Sequence, residues 1–372
     1  MRALSIILII AVYSILSEMP ADCQQGQDFD SLLKQATEEK EAEWKIQEAE
    51  IERIDAGFER MWQERKAEIE RKWDEALRST KKEWVDYSDN LDSRSYVNFE
   101  DGFVEVTAIV PQRGKDAVPQ AEQFIFDQIN RVLSTDNPSG MNVLAGQVDI
   151  EPGHIVSPNN VPDFIEKTRK KIVVADKPFV AQDGVPRIKV KVRFELLPDH
   201  LMIRAKKYYD AVDRNSKKLA VRPELVLAVI HTESYFNPLA VSPANAHGLM
   251  QLIPKWGARD AYRMIYKKDR IVTPEYLYIP KNNVELGSAY LSLLRDGMFK
   301  QVADDTKRRY LVICAYNWGP GAVNRKIVKQ YDIDRLSPGE LYRTLMQKTP
   351  KETSDYLKRV TERMNVYANV IR

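Results

Sequence analysis

The sequence predicts an α+β protein: a wholly helical C-terminal domain preceded by a small α+β domain and a long charged helix. Three observations predict it. Residues 28–88 are almost free of Gly and Pro and dense in Glu, Lys, Arg and Ala; residues 89–198 hold alternating runs between Gly- and Pro-bearing turns; after Pro198 the apolar spacing turns helical, with no strand pattern of comparable strength. At 372 residues, 44% hydrophobic and 30% charged, the chain can bury a core, which excludes wholesale disorder and a polytopic membrane bundle.

The first element is an export signal over residues 1–21. Arg2 precedes an apolar run from Ala3 to Leu16, too short to cross a bilayer core of about 30 Å but suited to a secretory h-region. Ala21 offers a cleavage site and Cys23 a lipid attachment point, although Asp22 stands where lipid-anchoring signals carry a small residue. Lipid anchoring and a plain free thiol are both open readings of Cys23.

Over 28–88, apolar residues recur at helical steps, and Ile51, Trp62, Trp73 and Trp84 share an eleven-residue period, about 3.67 residues per turn. Such a stripe can pair with a second helix, lie on a membrane surface or pack on its own protein. The mixed charge of its polar face favours protein packing.

In the small domain, Tyr96-Val-Asn-Phe99 and Phe103 to Ile109 flank Glu100-Asp-Gly102, the signature of a β-hairpin. Pro119 to Leu133 and Asp163 to Val173 read as helices, and Ile188, Val190, Val192, Phe194 and Leu196 alternate as a strand. No catalytic constellation is visible here, so the module reads as a positioning or partner-binding domain.

Residues 199–372 carry the chemistry. Their 30 Lys+Arg against 18 Asp+Glu give +12, whereas residues 1–198 carry −10. A basic half favours an anionic polymer; nucleic acid is weighed and set aside, because no nucleic-acid motif accompanies the charge and the chain carries an export signal. Two cysteines, Cys23 and Cys314, and four histidines without an HExxH pattern predict neither a metal centre nor another cofactor. Cys314, inside Leu311-Val-Ile-Cys-Ala315, reads as a buried small hydrophobe.

One apolar helix, Pro223 to Ser234, ends in Glu233 beside Tyr235 and Phe236. Desolvation there raises the proton affinity of a carboxyl, which fits a general acid; a cap or a salt bridge is the plainer fate of a single Glu. Further segments follow in order: Ala240-Val-Ser242-Pro-Ala-Asn-Ala-His-Gly248-Leu-Met250-Gln251, Asn283-Val-Glu-Leu-Gly287, Ala315-Tyr316-Asn317-Trp-Gly319 and Glu352-Thr-Ser-Asp-Tyr356. Together these resemble, over roughly 150 residues, the catalytic domain of the soluble lytic transglycosylases, which has a goose-type lysozyme-like fold. The preceding module, through Tyr87 to Ser95 and Val97 to Gly102, resembles the N-terminal domain of the membrane-bound lytic murein transglycosylase C family. The long helix has no counterpart in that resemblance, and the imperfect lipidation site departs from it.

The resemblance implies a periplasmic enzyme, anchored to the outer membrane if Cys23 is lipidated, whose partner is peptidoglycan. Glu233 would serve alone as acid and then base, giving 1,6-anhydromuramoyl ends. Ser242 and Gln251 would contact the sugar and its acetamido group, Met250 would floor the groove, and Tyr316 would hydrogen-bond near Glu233. Asn317, Glu352 and Tyr356 would complete the substrate site. Each also has a structural reading: Ser242 as a turn residue, Met250 as core, Tyr316 as helix packing, Asn317 as a helix terminus. A second carboxylate from Asp296, Asp304 or Glu352 would instead suit a hydrolytic muramidase. An inert murein-binding scaffold, self-associating or recruiting partners through the long helix, is the remaining alternative.

Overall fold

The computed structural model describes residues 59–113, 116–136, 140, 142–175 and 177–370, with single helical positions at 34, 38, 46, 49, 53, 56 and 57. The expected export signal and Cys23 lie outside the described residues. Two units divide the chain, one ending at Gln63 and one spanning Glu64–Arg372. Every described position of the first is helical.

In the second unit, helix occupies 64–72 and stops there, so the helix expected over 28–88 is corrected at its C-terminal end. Neither Gly nor Pro ends it. Tertiary partners do: the Trp73 indole N–H donates to the Leu91 carbonyl at 2.8 Å, and the Lys72 ammonium donates to Asn90 O and Asp92 Oδ1, both at 2.8 Å. Burying the indole with its donor satisfied outweighs extending an exposed helix. Trp73 joins Ile69, Tyr87, Leu91 and Ile109 in a small core, whereas Trp84 packs into a different one, so the eleven-residue register does not carry across.

Trp84 lies in β1 (Glu83–Tyr87), which pairs antiparallel with β2 (Ser93–Asn98), setting Trp84 opposite Val97. The small domain therefore starts before residue 89. β2 turns into β3 (Phe103–Pro111) as expected, with Asn98 Oδ1 accepting from the Glu100 and Asp101 amides and Gly102 at φ 74°. That φ favours glycine, and a Cβ there would come within 2.7 Å of the His200 ring. Helix α1 (Ala117–Ser134) buries Ala121, Ile125, Ile129 and Val132 in one core with the sheet. Short strands β4 (Asp149–Glu151) and β5 (His154–Ile155) pair apart from the main sheet. Helix α2 (Val161–Arg169) ends before the expected Val173, which begins strand β6 (Val173–Val174). β7 (Phe179–Val180) and the long β8 (Pro186–Glu195) complete a six-stranded sheet of order β1-β2-β3-β8-β6, β7 also pairing with β8.

From His200 onward every named element is helical: α3 (His200–Leu219), α4 (Pro223–Ser234), α5 (Arg259–Tyr266), α6 (Pro274–Tyr278), α7 (Pro280–Leu293), α8 (Asp305–Trp318), α9 (Pro320–Val323), α10 (Pro338–Lys348) and α11 (Lys351–Val370). α4 starts on Pro223, whose fixed φ and missing N–H suit a first turn. Its Leu225 to Ile230 run is buried on every side, so α4 is the central helix that the others surround. Cys314 is buried in α8, and burial pushes its thiol up to about 12.

The two cores meet through polar groups. Arg204 of α3, 1% exposed, donates to the carbonyls of Tyr235 and Phe99 and to Gln147 Oε1. A buried guanidinium with three acceptors fixes geometry, because removing any one leaves a charged group short of a partner.

Candidate active site

α4 stops because Tyr235 and Phe236 both take left-handed φ, 49° and 61°. The turn leaves Glu233, 5% exposed, near the end of a helix whose Leu225 to Ile230 run is apolar. Ser234, next to it, donates its hydroxyl to the Leu249 carbonyl at 2.7 Å and so fastens the helix end to the Gly248-Leu249-Met250 turn.

Its surroundings come from three directions. The Tyr316 hydroxyl on α8 donates to the Met250 carbonyl at 2.8 Å, and Tyr316 is pushed well above the ordinary tyrosine range by burial first and by the Glu233 charge second. Tyr356 on α11 is raised for the same two reasons; its hydroxyl is buried with no hydrogen-bond partner at normal distance while lying within the field of Glu233. From the small domain, the Lys81 ammonium stands 3.1 Å from Glu233 Oε2. The expected burial of Glu233 is thus present together with an ion pair to a lysine of the small domain.

The loop below Glu233 is built by backbone demands. Gly248 has φ 74°, and a Cβ there would overlap the Leu277 carbonyl and the Asn283 amide. Asn283 is why the approach is so close: its Nδ2 donates to His247 O and Leu277 O, and its Oδ1 accepts from the Met250 amide. Met250 is fully buried, and Gly287 on α7 leaves room for its sulfur. Gln251, also left-handed at φ 47°, spends its Nε2 on Ala240 O and Gly248 O, leaving a buried Oε1 without a partner. Ser242 Oγ accepts from the Ala246 amide at 3.1 Å, as a turn residue does. Asn317 Oδ1 accepts from Thr353 Oγ1 at 2.8 Å, which ties the end of α8 to the start of α11.

The fold therefore brings Glu233, Tyr316 and Tyr356 together and ties Met250, Gln251 and Ser242 into the adjoining loop. Glu352 is different. It lies exposed in the first turn of α11, one turn from Tyr356. The carboxylates weighed as second catalytic groups are engaged elsewhere: Asp296 pairs with Arg295, and Asp304 caps α8 by accepting from the Lys307 amide. Among the described residues no group of three or more His, Cys, Asp or Glu gathers as a metal site, and no helix is long and apolar enough to cross a membrane.

Lys81 is the residue that sequence reasoning missed. It was counted within a helix, and its partner lies 152 positions away, so no local spacing could mark it. The cluster of aromatic and β-branched residues Trp84, Val85 and Tyr87 was the available signal.

Two family models match this architecture, the Transglycosylase SLT domain over residues 210–336 and the N-terminal domain of membrane-bound lytic murein transglycosylase C over residues 51–152. The SLT-domain match and the lytic transglycosylase relatives mark an enzyme of the lytic transglycosylase class. Membrane-bound lytic murein transglycosylase C of Salmonella arizonae is 33% identical over 325 residues, covering 80% of this chain and 86% of that protein. Its namesake from Cronobacter sakazakii is 32% identical over 355 residues, covering 90% and 96%. The chain belongs to the membrane-bound lytic murein transglycosylase C family. Among solved structures, an inactive mutant of the lytic transglycosylase Slt from Pseudomonas aeruginosa matches at 26% identity with a TM-score of 0.37, covering 44% of this chain and 24% of that one. The 70 kDa soluble lytic transglycosylase of Escherichia coli matches at 24% identity and 0.36, with the same coverage.

Proposed function

We propose that the protein cleaves the β-1,4 bond between N-acetylmuramic acid and N-acetylglucosamine in peptidoglycan without consuming water, with Glu233 as the one acid and base. The observation that carries this reading is the placement of Glu233: buried at the end of α4, close enough for its charge to raise both Tyr316 and Tyr356, while Asp296 and Asp304 are occupied elsewhere. Protonated Glu233 gives its proton to the glycosidic oxygen as the C1–O bond breaks, and the bonding pair leaves with the N-acetylglucosamine 4-hydroxyl. The muramyl 2-acetamido group steadies the positive centre at C1. The muramyl 6-hydroxyl then closes on C1 and returns its proton to the Glu233 carboxylate, giving a 1,6-anhydro end.

In this scheme the unpartnered Gln251 Oε1 accepts from the substrate's amide N–H, and the Tyr356 hydroxyl donates to Glu233 once it has become a carboxylate. Ser242 offers its hydroxyl proton to the sugar, Met250 floors the site, and Tyr316 and Asn317 hold the surrounding backbone. Glu352 contacts substrate at the exposed edge of α11. The relatives are named membrane-bound, which supports attachment to a membrane; in this proposal the enzyme is periplasmic and held at the outer membrane through Cys23, with the leading helix serving self-association or membrane contact. Replacing Glu233 with Gln tests the assignment: release of muropeptides from purified sacculi should fall by at least about a thousandfold, and undiminished release would remove Glu233 from the mechanism.

A further inference from the structure

The acid of the first step must carry a proton, yet the structure sets an ammonium 3.1 Å from it. That ammonium is held on purpose by its neighbours in the chain. On one side of Lys81, the Thr80 amide donates to the Glu83 carbonyl at 3.0 Å and its hydroxyl to Glu83 Oε2 at 2.8 Å. On the other, the Lys82 carbonyl accepts from the Phe99 amide at 2.9 Å, and its ammonium binds Glu100 Oε2 at 2.5 Å. Glu100 in turn accepts from the Tyr235 hydroxyl, which Arg363 of α11 also donates to at 2.9 Å. Tyr235 lies two residues past Glu233. The segment bearing Lys81 is thus fastened to the same turn that ends α4, and the Lys81 side chain, 38% exposed, reaches a carboxylate that is 7% exposed.

We propose that Lys81 is a positioning residue of the active site, delivered by the small domain, whose charge sets how readily Glu233 takes and gives its proton. The inference rests on the reading of Glu233 as acid and base. An ammonium paired with Glu233 Oε2 at 3.1 Å gives the carboxylate of the second half-reaction a fixed counter-charge. Behind the two tyrosines near Glu233 stand Tyr290, against Tyr316, and Arg359, near Tyr356. Both belong to the helical domain and stay in place when Lys81 is changed. The small domain therefore acts on catalysis through one side chain without touching the bond that breaks.

The test is a carboxyl-carbon NMR titration of Glu233 in the full chain without substrate, comparing wild type with Lys81→Met and Lys81→Arg. The midpoint should rise by about one pH unit or more in Lys81→Met and move little in Lys81→Arg, and the alkaline limb of the kcat/KM profile should follow. Coincident midpoints in wild type and Lys81→Met overturn the proposal. Should Lys81→Met fail to fold, the reciprocal titration serves: the Lys81 ammonium must lose its proton at lower pH in Glu233→Gln than in wild type, and an unchanged midpoint again overturns the coupling. Shifted midpoints in a protein that never cuts peptidoglycan would sink the proposed function and leave the coupling standing; anhydro products with coincident midpoints would do the reverse.

Discussion

The Ser234 hydroxyl donates to the Leu249 carbonyl at 2.7 Å while also reaching the Ile230 carbonyl at 3.1 Å, so one small side chain joins the end of the central helix to the turn beneath the candidate acid. Ser234→Ala leaves the Leu249 carbonyl buried without that donor. The expected loss is about 1–2 kcal/mol of stability, with turnover down by about tenfold or more through misplacement of Glu233. Denaturant unfolding and muropeptide release on one preparation check both; a stable variant with full turnover would show that the tie does not position the acid.

Gly287 and Met250 form a fitted pair, since a Cβ on Gly287 would overlap the Met250 sulfur. Gly287→Ala should cost about 1–3 kcal/mol by overpacking, and adding Met250→Ala should restore part of that loss rather than deepen it. A double-mutant cycle reads the coupling, and strictly additive losses would mean the two side chains do not meet.

Much of this was legible beforehand, for local reasons. α4 begins on Pro223 and carries the apolar run Leu225 to Ile230, and the β2–β3 turn carries Gly102 between alternating runs, so neighbouring residues sufficed to mark both elements. The end of the leading helix was not legible, because residues 73–82 contain neither Gly nor Pro and only the distant partners Leu91 and Asp92 stop it. The same error concealed Lys81. Glu233 could be singled out from its helix, but its ion pair depends on how two separately patterned domains pack.

Tyr356 separates stability from function. Its hydroxyl is buried beside Glu233 with no partner at normal hydrogen-bond distance, so Tyr356→Phe removes a poorly satisfied polar group and should change the melting temperature little. Turnover should nonetheless fall at least about tenfold, because the carboxylate formed in the first step loses a donor. Equal turnover in the variant would reduce Tyr356 to packing.

Two histidines predict an acid-sensitive fold. Burial holds His231 down to about 3 and His247 down to about 4, Arg363 and Arg204 adding to the effect at His231. Both values lie below the unfolded figure of about 6.5, so between them the unfolded chain binds more protons. The stability these groups supply is complete above about pH 6.5 and drains away as pH falls toward 4 and 3. Melting temperatures between pH 7.5 and 5 should decline, with a shallower slope in His247→Gln. Parallel curves for the two proteins would contradict the assignment to His247.

The most direct measurement of the whole account is mass spectrometry of the muropeptides that the purified protein releases from sacculi in water enriched in oxygen-18. A lone Glu233 that returns its proton from the muramyl 6-hydroxyl predicts 1,6-anhydro ends without the heavy isotope. Reducing ends carrying one oxygen-18 atom would show that water, not the sugar's own hydroxyl, attacks C1.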